Sequence, residues 1–223
     1  ETVASGIPRI DFLDNAKGSL LLEPSRTNIV EYSEDGSQWS TTNATLALSS
    51  DSSTPSGQTQ SYKVTDTTAD AQHRLDITEV VISGTQYTFS AFVKQESNSD
   101  LDFAYLLLTT RFAATRFYFN IKTGTAGDGN GTIENYGNGW YKISGTATAA
   151  SSGNAVLGVN LTNENGNSTY IGTGNGSMFV YGLQMEAGSY ATSLINTSGS
   201  AVTREADVCN NGANSEVINS TEG

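Results

Sequence analysis

Along this chain apolar residues return at every second position in short runs, and Gly, Asn, Asp or Ser closes each run. That period puts neighbouring side chains on opposite faces, as in a half-buried strand. The runs predict strands over 19–22, 27–32, 44–49, 60–65, 73–82, 86–95, 101–109, 115–121, 131–135, 139–148, 154–162 and 177–186. No long window gathers enough good helix formers to compete with this pattern. Many short strands with frequent turn signals predict an all-β fold, a two-sheet antiparallel β-sandwich.

Alternation also separates inward from outward positions. In "YTFSAFVKQ", Tyr87, Phe89, Ala91 and Val93 share one face and Phe92 and Lys94 the other. In "TRFYFNI", Phe117, Phe119 and Ile121 oppose Arg116, Tyr118 and Asn120. "HRLDIT" sets Leu75 and Ile77 against Arg74 and Asp76, and "GWYKIS" sets Tyr141 and Ile143 against Trp140 and Lys142. In "FVYGLQME" the period aligns Phe179, Tyr181, Leu183 and Met185. The apolar sets are the expected core.

Texture sets the divisions of the chain. Residues 1–18 read as an N-terminal extension, 19–190 as the sandwich, and 191–223 as a C-terminal arm or linker leading toward a further domain. The first residues lack an initiator Met and read as the start of a piece cut from a longer polypeptide. The stretch "LLLEPSRTNIVEYSEDGSQW" is expected to open the sandwich, with Leu20 to Leu22 beginning the core. Arg26 is expected to pair with Glu23 or Glu186, a clasp that closes the two ends of the domain.

Hydrophobic residues make up 36% of the chain and charged ones 15%, which fits a thin core between solvated faces. The net charge of -12 repels phosphate backbones and disfavours anionic membranes, so neither nucleic acid nor membrane insertion is expected. Cys209 is the only cysteine and His73 the only histidine, which removes internal disulfides, thiolate clusters and His-pair zinc sites. A Ser-His-Asp triad would rest on His73, which falls in a predicted strand without a nucleophile elbow. The acids Asp76, Glu79, Asp100, Asp102, Glu134, Glu164 and Glu186 offer carboxyl groups, but sequence spacing sets no catalytic pair. No catalytic residue and no metal ligand is assigned; the oxygen-rich loops leave room for a structural Ca2+ and for no other cofactor.

The outward sets carry more information. Tyr118, Trp140 and Phe92 are large aromatics on faces that also hold Arg74, Lys94, Arg116, Asn120 and Asn160. Sugars are bound by such sets, an aromatic face against the ring C–H bonds and polar side chains on the hydroxyls. Arg74, Lys94, Arg116, Tyr118, Asn120, Trp140 and Asn160 are therefore the candidate carbohydrate-binding residues. The competing reading gives Trp140 a sheet edge to cover and the basic residues acids to neutralise. Consecutive sandwich strands often alternate between sheets, so the set need not form one patch.

Five phrases occur together: "PRIDF" (8–12), "GSLLLEPSRTNIVEYSEDGSQW" (18–39), "YTFSAFVK" (87–94), "GNGWYKISGTAT" (137–148) and "VYGLQMEAGSYATSLINTSGSAVTREADV" (180–208). In this order they resemble the carbohydrate-binding-module-like jelly roll of tailed-phage structural proteins, chiefly tail or head fibres. The resemblance implies a jelly-roll sandwich on the virion surface, trimeric in a fibre, touching host surface glycan and other virion proteins without catalysis. Its phrases concern the scaffold, so Trp140, which lies inside one, weighs less than Tyr118, Arg116 and Arg74, which lie outside them. Two rivals stand beside this expectation: a purely structural virion module, and an accessory module of a polysaccharide-degrading enzyme.

Overall fold

The computed structural model describes residues 10–11, 17–50, 54–57 and 60–208. Cys209 and the rest of the arm beyond residue 208 lie outside the described residues, as do residues 1–9 and 12–16. In chain order the strands begin with β1 (Ile10–Asp11), β2 (Ser19–Leu20), β3 (Arg26–Asn28), β4 (Ser40–Thr42), β5 (Ala44–Ser49) and β6 (Ser61–Asp66). There follow β7 (Asp70–Ala71), β8 (His73–Val81), β9 (Gln86–Gln95), β10 (Phe103–Thr109), β11 (Thr115–Asn120) and β12 (Thr125–Ala126). The last are β13 (Thr132–Gly137), β14 (Trp140–Thr148), β15 (Gly153–Thr162), β16 (Tyr170–Ile171), β17 (Ser177–Ala187) and β18 (Val202–Arg204).

Two six-stranded antiparallel sheets form the sandwich. The front sheet runs β12-β11-β10-β15-β8-β4 and the back sheet β13-β14-β9-β17-β6-β5. Their facing sides hold the alternating apolar residues, among them Leu75, Phe89, Leu106, Phe119, Ile143, Leu157 and Met178. Each large side chain buried this way contributes about 1.5–3 kcal/mol. Short pairs close the periphery: β1 on β2, β7 on β16, and β3 on β18.

The long predicted strands lie close to the observed ones, and the departures have local causes. The strand expected over 27–32 stops at Asn28, because that side chain replaces the ladder. Asn28 Oδ1 accepts from Val30 N and Met185 N, and its amide donates to the carbonyls of Leu183 and Ile195. Strands β4, β7, β12, β16 and β18 have only two or three residues each, too few to leave a period.

The alignment of Phe179 and Tyr181 with Leu183 and Met185 does not hold. The β17–β9 register breaks between Tyr181 and Gln184, and Gly182 sits there at φ 61. Such a bulge inserts one residue and reverses which side chains face inward. Met178 and Val180 point into the core before it and Leu183 and Met185 after it. Phe179 and Tyr181 are turned to the outer face, against Phe92 and Trp140. A Cβ at Gly182 would stand 2.8 Å from Leu194 Cδ2 and 3.0 Å from Phe92 Cδ2, so both backbone and space call for glycine.

Beyond Gly188 the chain folds back across the outer face of the back sheet. Thr192, Ile195 and Thr197 are buried there before β18 pairs with β3. Asp207 N then donates to Glu23 O at 2.9 Å, which sets the two ends of the sandwich side by side.

Candidate functional site

Antiparallel register brings five of the seven candidate residues to one surface, the outer face of the front sheet. One row across β8, β15, β10 and β11 reads Arg74, Asn160, Tyr105, Tyr118. The next row reads Asp76, Gly158, Leu107, Arg116. A third places Asn120 opposite Phe103. Lys94 and Trp140 stand on the outer face of the back sheet, on the opposite side of the molecule.

Within the rows the groups are only partly satisfied. Arg74 Nε lies 2.9 Å from Asp76 Oδ2, a charge contact without hydrogen-bond geometry, and Thr42 Oγ1 donates to the same oxygen at 3.1 Å. Asn160 is fully buried and its amide donates to Tyr105 O at 3.3 Å. Asp76 Oδ1, Asn160 Oδ1 and Arg116 Nε, all buried, have no hydrogen-bond partner. Leaving such atoms unpaired costs about 1–3 kcal/mol each, so they mark places where a ligand or water group is wanted. Burial pushes the Asp76 carboxyl above its usual range, and the Arg74 charge opposes that shift.

Gly158 lets this cluster close up. With no side chain there, the Asn160 amide packs down between Asp76 and Leu107. A Cβ at 158 would meet Asn160 Nδ2 at 2.8 Å, Asp76 Oδ1 at 3.3 Å and Leu107 Cβ at 3.4 Å. Two of the unpaired acceptors thus belong to side chains that meet over Gly158.

The tyrosines beside it are not open platforms. Their rings stack at 5.0 Å and a tilt of 32°, Tyr105 is fully buried, and Tyr118 is 5% exposed. The 162–176 loop is tied down here. Tyr105 OH donates to Ser168 O, and Asn165 and Asp128 exchange two hydrogen bonds of 2.8 and 2.9 Å. Further along, the Asp66 carboxylate accepts from the backbone of Thr173, Gly174 and Gly176 and from Tyr170 OH. Burial raises the pKa of both Tyr105 and Tyr118, keeping them neutral hydroxyls. Asn120 is occupied locally, its Oδ1 accepting from Lys122 N and Thr123 N.

The outer face of the back sheet is sealed by the chain itself. Trp140 is fully buried in a cluster with Phe92 and Tyr181, and Lys94 Nζ lies 5.9 Å from its ring centre. The Glu186 carboxylate, also fully buried, accepts from Thr192 N at 2.6 Å, Thr192 Oγ1 at 2.7 Å and Gln184 Nε2 at 3.0 Å. Arg26 Nε stands 3.9 Å from Glu186 Oε2, whereas Glu23 takes Arg204 at 3.0 Å and Ser193 N at 2.8 Å. Lys142, 4% exposed, donates to Thr192 O; burial lowers its pKa against the pull of Glu134, Glu186 and Glu23.

Two hollows lie elsewhere. One of about 340 Å³ opens beside the part of β8 that β4 leaves unpaired, lined by Tyr32, Trp39 and Glu79. Burial pushes the Glu79 carboxyl up to about 7, with the Glu31 backbone pulling it down and the Glu31 charge adding to the rise. The other, about 500 Å³, runs past the end of β13, with Glu134 and the half-exposed Tyr190 on its rim. His73 is fully buried with Nδ1 2.6 Å from Asn43 O and Nε2 3.3 Å from Tyr170 O, so neither ring nitrogen is presented to a nucleophile. Among the described residues no three acidic, His or Cys side chains converge on a metal position.

Tyr105, Asp76 and Gly158 were not among the candidate residues. Asp76 was legible as the outward neighbour of Leu75 and Ile77. Tyr105 lies in the run "FAYLLL", where both faces are apolar and alternation gives no contrast.

The strand pairing defines the chain as an all-β, two-sheet antiparallel sandwich module. No family model matches the sequence, and no curated protein matches it. Among solved structures, it is similar to the N-terminal CBM22-1–CBM22-2 tandem domain from Paenibacillus barcinonensis Xyn10C (14% identity, 85% of this chain, 50% of that one, TM-score 0.47). It is also similar to the CBM22-1–GH10 modules of Clostridium thermocellum endo-1,4-β-D-xylanase 10B, complexed with xylohexaose (12% identity, 78% and 30% coverage, TM-score 0.45). A third is the enzymatically active domain of bacteriophage CBA120 tailspike protein 4 (14% identity, 71% and 21% coverage, TM-score 0.40). The match spans half or less of the length of each of these chains.

Proposed function

We propose that this chain is a non-catalytic module that binds a host cell-surface polysaccharide from the surface of a phage particle, through the outer face of its front sheet. The observation that carries the reading is the row of unpaired polar atoms over Gly158, the acceptors of Asp76 and Asn160, with unpaired Arg116 Nε one strand beyond Leu107. Sugar hydroxyls both donate and accept, so one ring edge can satisfy these atoms together. Because Tyr105 and Tyr118 are covered, recognition rests on hydrogen bonds more than on ring stacking. The five sequence phrases support the virion setting. A single site of millimolar affinity corresponds to about 4 kcal/mol, and repeated copies in a trimeric fibre convert that into firm attachment.

The test is electrophoresis through gels holding the host polysaccharide. Wild-type protein is expected to be retarded, and Gly158→Val, which displaces the Asn160 amide from Asp76, to run freely, with a melt of the variant showing that the fold is kept. A folded wild type unretarded by every polysaccharide tried would remove the reading.

One observation favours the structural rival. Val80 and Ile82 are 67% and 63% exposed at the end of β8, apolar surface suited to a subunit contact. If Val80→Ser with Ile82→Ser dissociates an oligomer in light scattering while no glycan binds, the spacer role stands in place of attachment.

A further inference from the structure

We infer that the saccharide taken by the front face is acidic, carrying a carboxylate that Arg116 receives while Asp76 and Asn160 accept its hydroxyls. This rests on the carbohydrate-binding reading above and adds the chemical class of the ligand.

The argument starts from charge. With 23 Asp and Glu against 11 Lys and Arg, this chain offers a carboxylate to nearly any exposed base. Arg26, Lys63, Arg74, Lys122 and Arg204 each stand within ion-pair distance of one. Among the described residues Arg116 has no carboxylate at that distance, and its Nε is buried without a partner. It sits half-buried in the Asp76–Gly158–Leu107 row and presses electrostatically on Tyr105 and Tyr118, both neutral. A guanidinium presents a flat fork of donors that matches a carboxylate two bonds at a time; among the described residues only the Tyr105 hydroxyl reaches the Arg116 fork, and no carboxylate does.

Geometry sets the rest. From Asp76 to Arg116 the row crosses three strand spacings, about 14 Å, longer than one pyranose ring. A carboxylate on one residue at Arg116 and hydroxyls of a neighbouring residue beside Asp76 fit that span, so the ligand is an oligomer of uronic-acid type. The charge of -12 opposes any polyanion from afar, but salt screens that repulsion beyond about 8 Å, and the Arg116 contact acts inside this distance.

Arg111 supplies the control. Among the described residues it too has no carboxylate at ion-pair distance, but it lies in the β10–β11 turn against Gly153, off the rows. Affinity electrophoresis of the whole chain would compare polygalacturonate, its methyl ester, dextran sulfate and a neutral mannan. We expect retardation by polygalacturonate, weakened on the order of tenfold or more by the methyl ester and by Arg116→Gln, and unchanged by Arg111→Gln. Equal retention on the ester or on mannan overturns the acidic ligand but leaves carbohydrate binding standing. Equal retention on dextran sulfate, or an equal loss in Arg111→Gln, reduces the effect to general charge and overturns it as well. A folded protein retained by none of the four overturns the acidic ligand, and the gel of host polysaccharide described above then decides carbohydrate binding. A circular dichroism melt of each variant separates lost binding from lost fold.

Discussion

On the back sheet, Lys142, Gln184 and Glu186 point outward from strands much like those of the front sheet, yet all three are buried and hydrogen-bonded. On the front sheet, Arg74, Asp76, Asn160 and Arg116 occupy equivalent outward positions, and every one keeps a side-chain atom without a hydrogen bond. What separates the two faces is what covers them. The segment from Thr192 to Thr197 lays its own backbone across the back sheet and supplies donors and acceptors to Lys142, Gln184 and Glu186, leaving Arg26 Nε with only its 3.9 Å charge contact to Glu186. Over the front sheet the 162–176 loop covers the tyrosines but sends nothing to Asp76 Oδ1 or Asn160 Oδ1. A polar face completed by its own chain serves stability; one left incomplete is available to a ligand.

The largest test of this contrast is Glu186→Ala. Removing a fully buried carboxylate strands Thr192, Gln184 and Arg26 together, and the expected loss is about 3–5 kcal/mol in urea unfolding. A loss under about 1 kcal/mol would mean that the arm does not seal the back face.

Glu79 sharpens the comparison, because it is a half-buried carboxyl with one weak backbone donor, Glu31 N at 3.3 Å. Its pKa is raised to about 7, so the folded state holds the proton more tightly than the unfolded chain does. Stability from this group is therefore complete below the unfolded value and falls as pH rises toward 7. After allowance for solvent screening the change is of the order of 1 kcal/mol. Melts across this window should show the slope in wild type and a flatter profile in Glu79→Gln.

Gly158→Val should cost about 1 kcal/mol, since its Cβ would stand 2.8 Å from the amide nitrogen of Asn160, a buried side chain that must shift. A loss of several kcal/mol there would show that the Asn160–Asp76 cluster is part of the packing, and the front face would no longer differ from the back. The smallest effect belongs to Lys122→Ala. Its pair with Asp102 at 3.1 Å joins side chains 60% and 37% exposed, and about 0.5 kcal/mol or less is expected from chemical denaturation.

Much of this was legible in the residues, for reasons that also explain the gaps. "HRLDIT" and "TRFYFNI" keep strict alternation, so Arg74, Arg116 and Tyr118 were placed outward and stand there. Which sheet each strand joins is a long-range matter that no short window contains. Trp140 and Lys94 therefore looked like neighbours of Arg74 and stand on the opposite side. One glycine defeated the parity count: Gly182 bends β17 and exchanges the faces of Tyr181 and Leu183. Gly158 acts through what it lacks, and a missing side chain leaves no polar or apolar mark to read.

The pairing of β3 with β18 also has a kinetic consequence. Thr27 and Thr203 bond across a separation of 176 residues, and Glu23 meets Asp207 across 184. A chain that leaves the ribosome from its N-terminus must hold the β3 edge open until almost the whole sandwich has been made. Contacts of such long range raise contact order, which slows folding and lengthens the time that unpaired strand edges stay exposed to other chains. The closing step for each molecule is then the arrival of β18 at that edge.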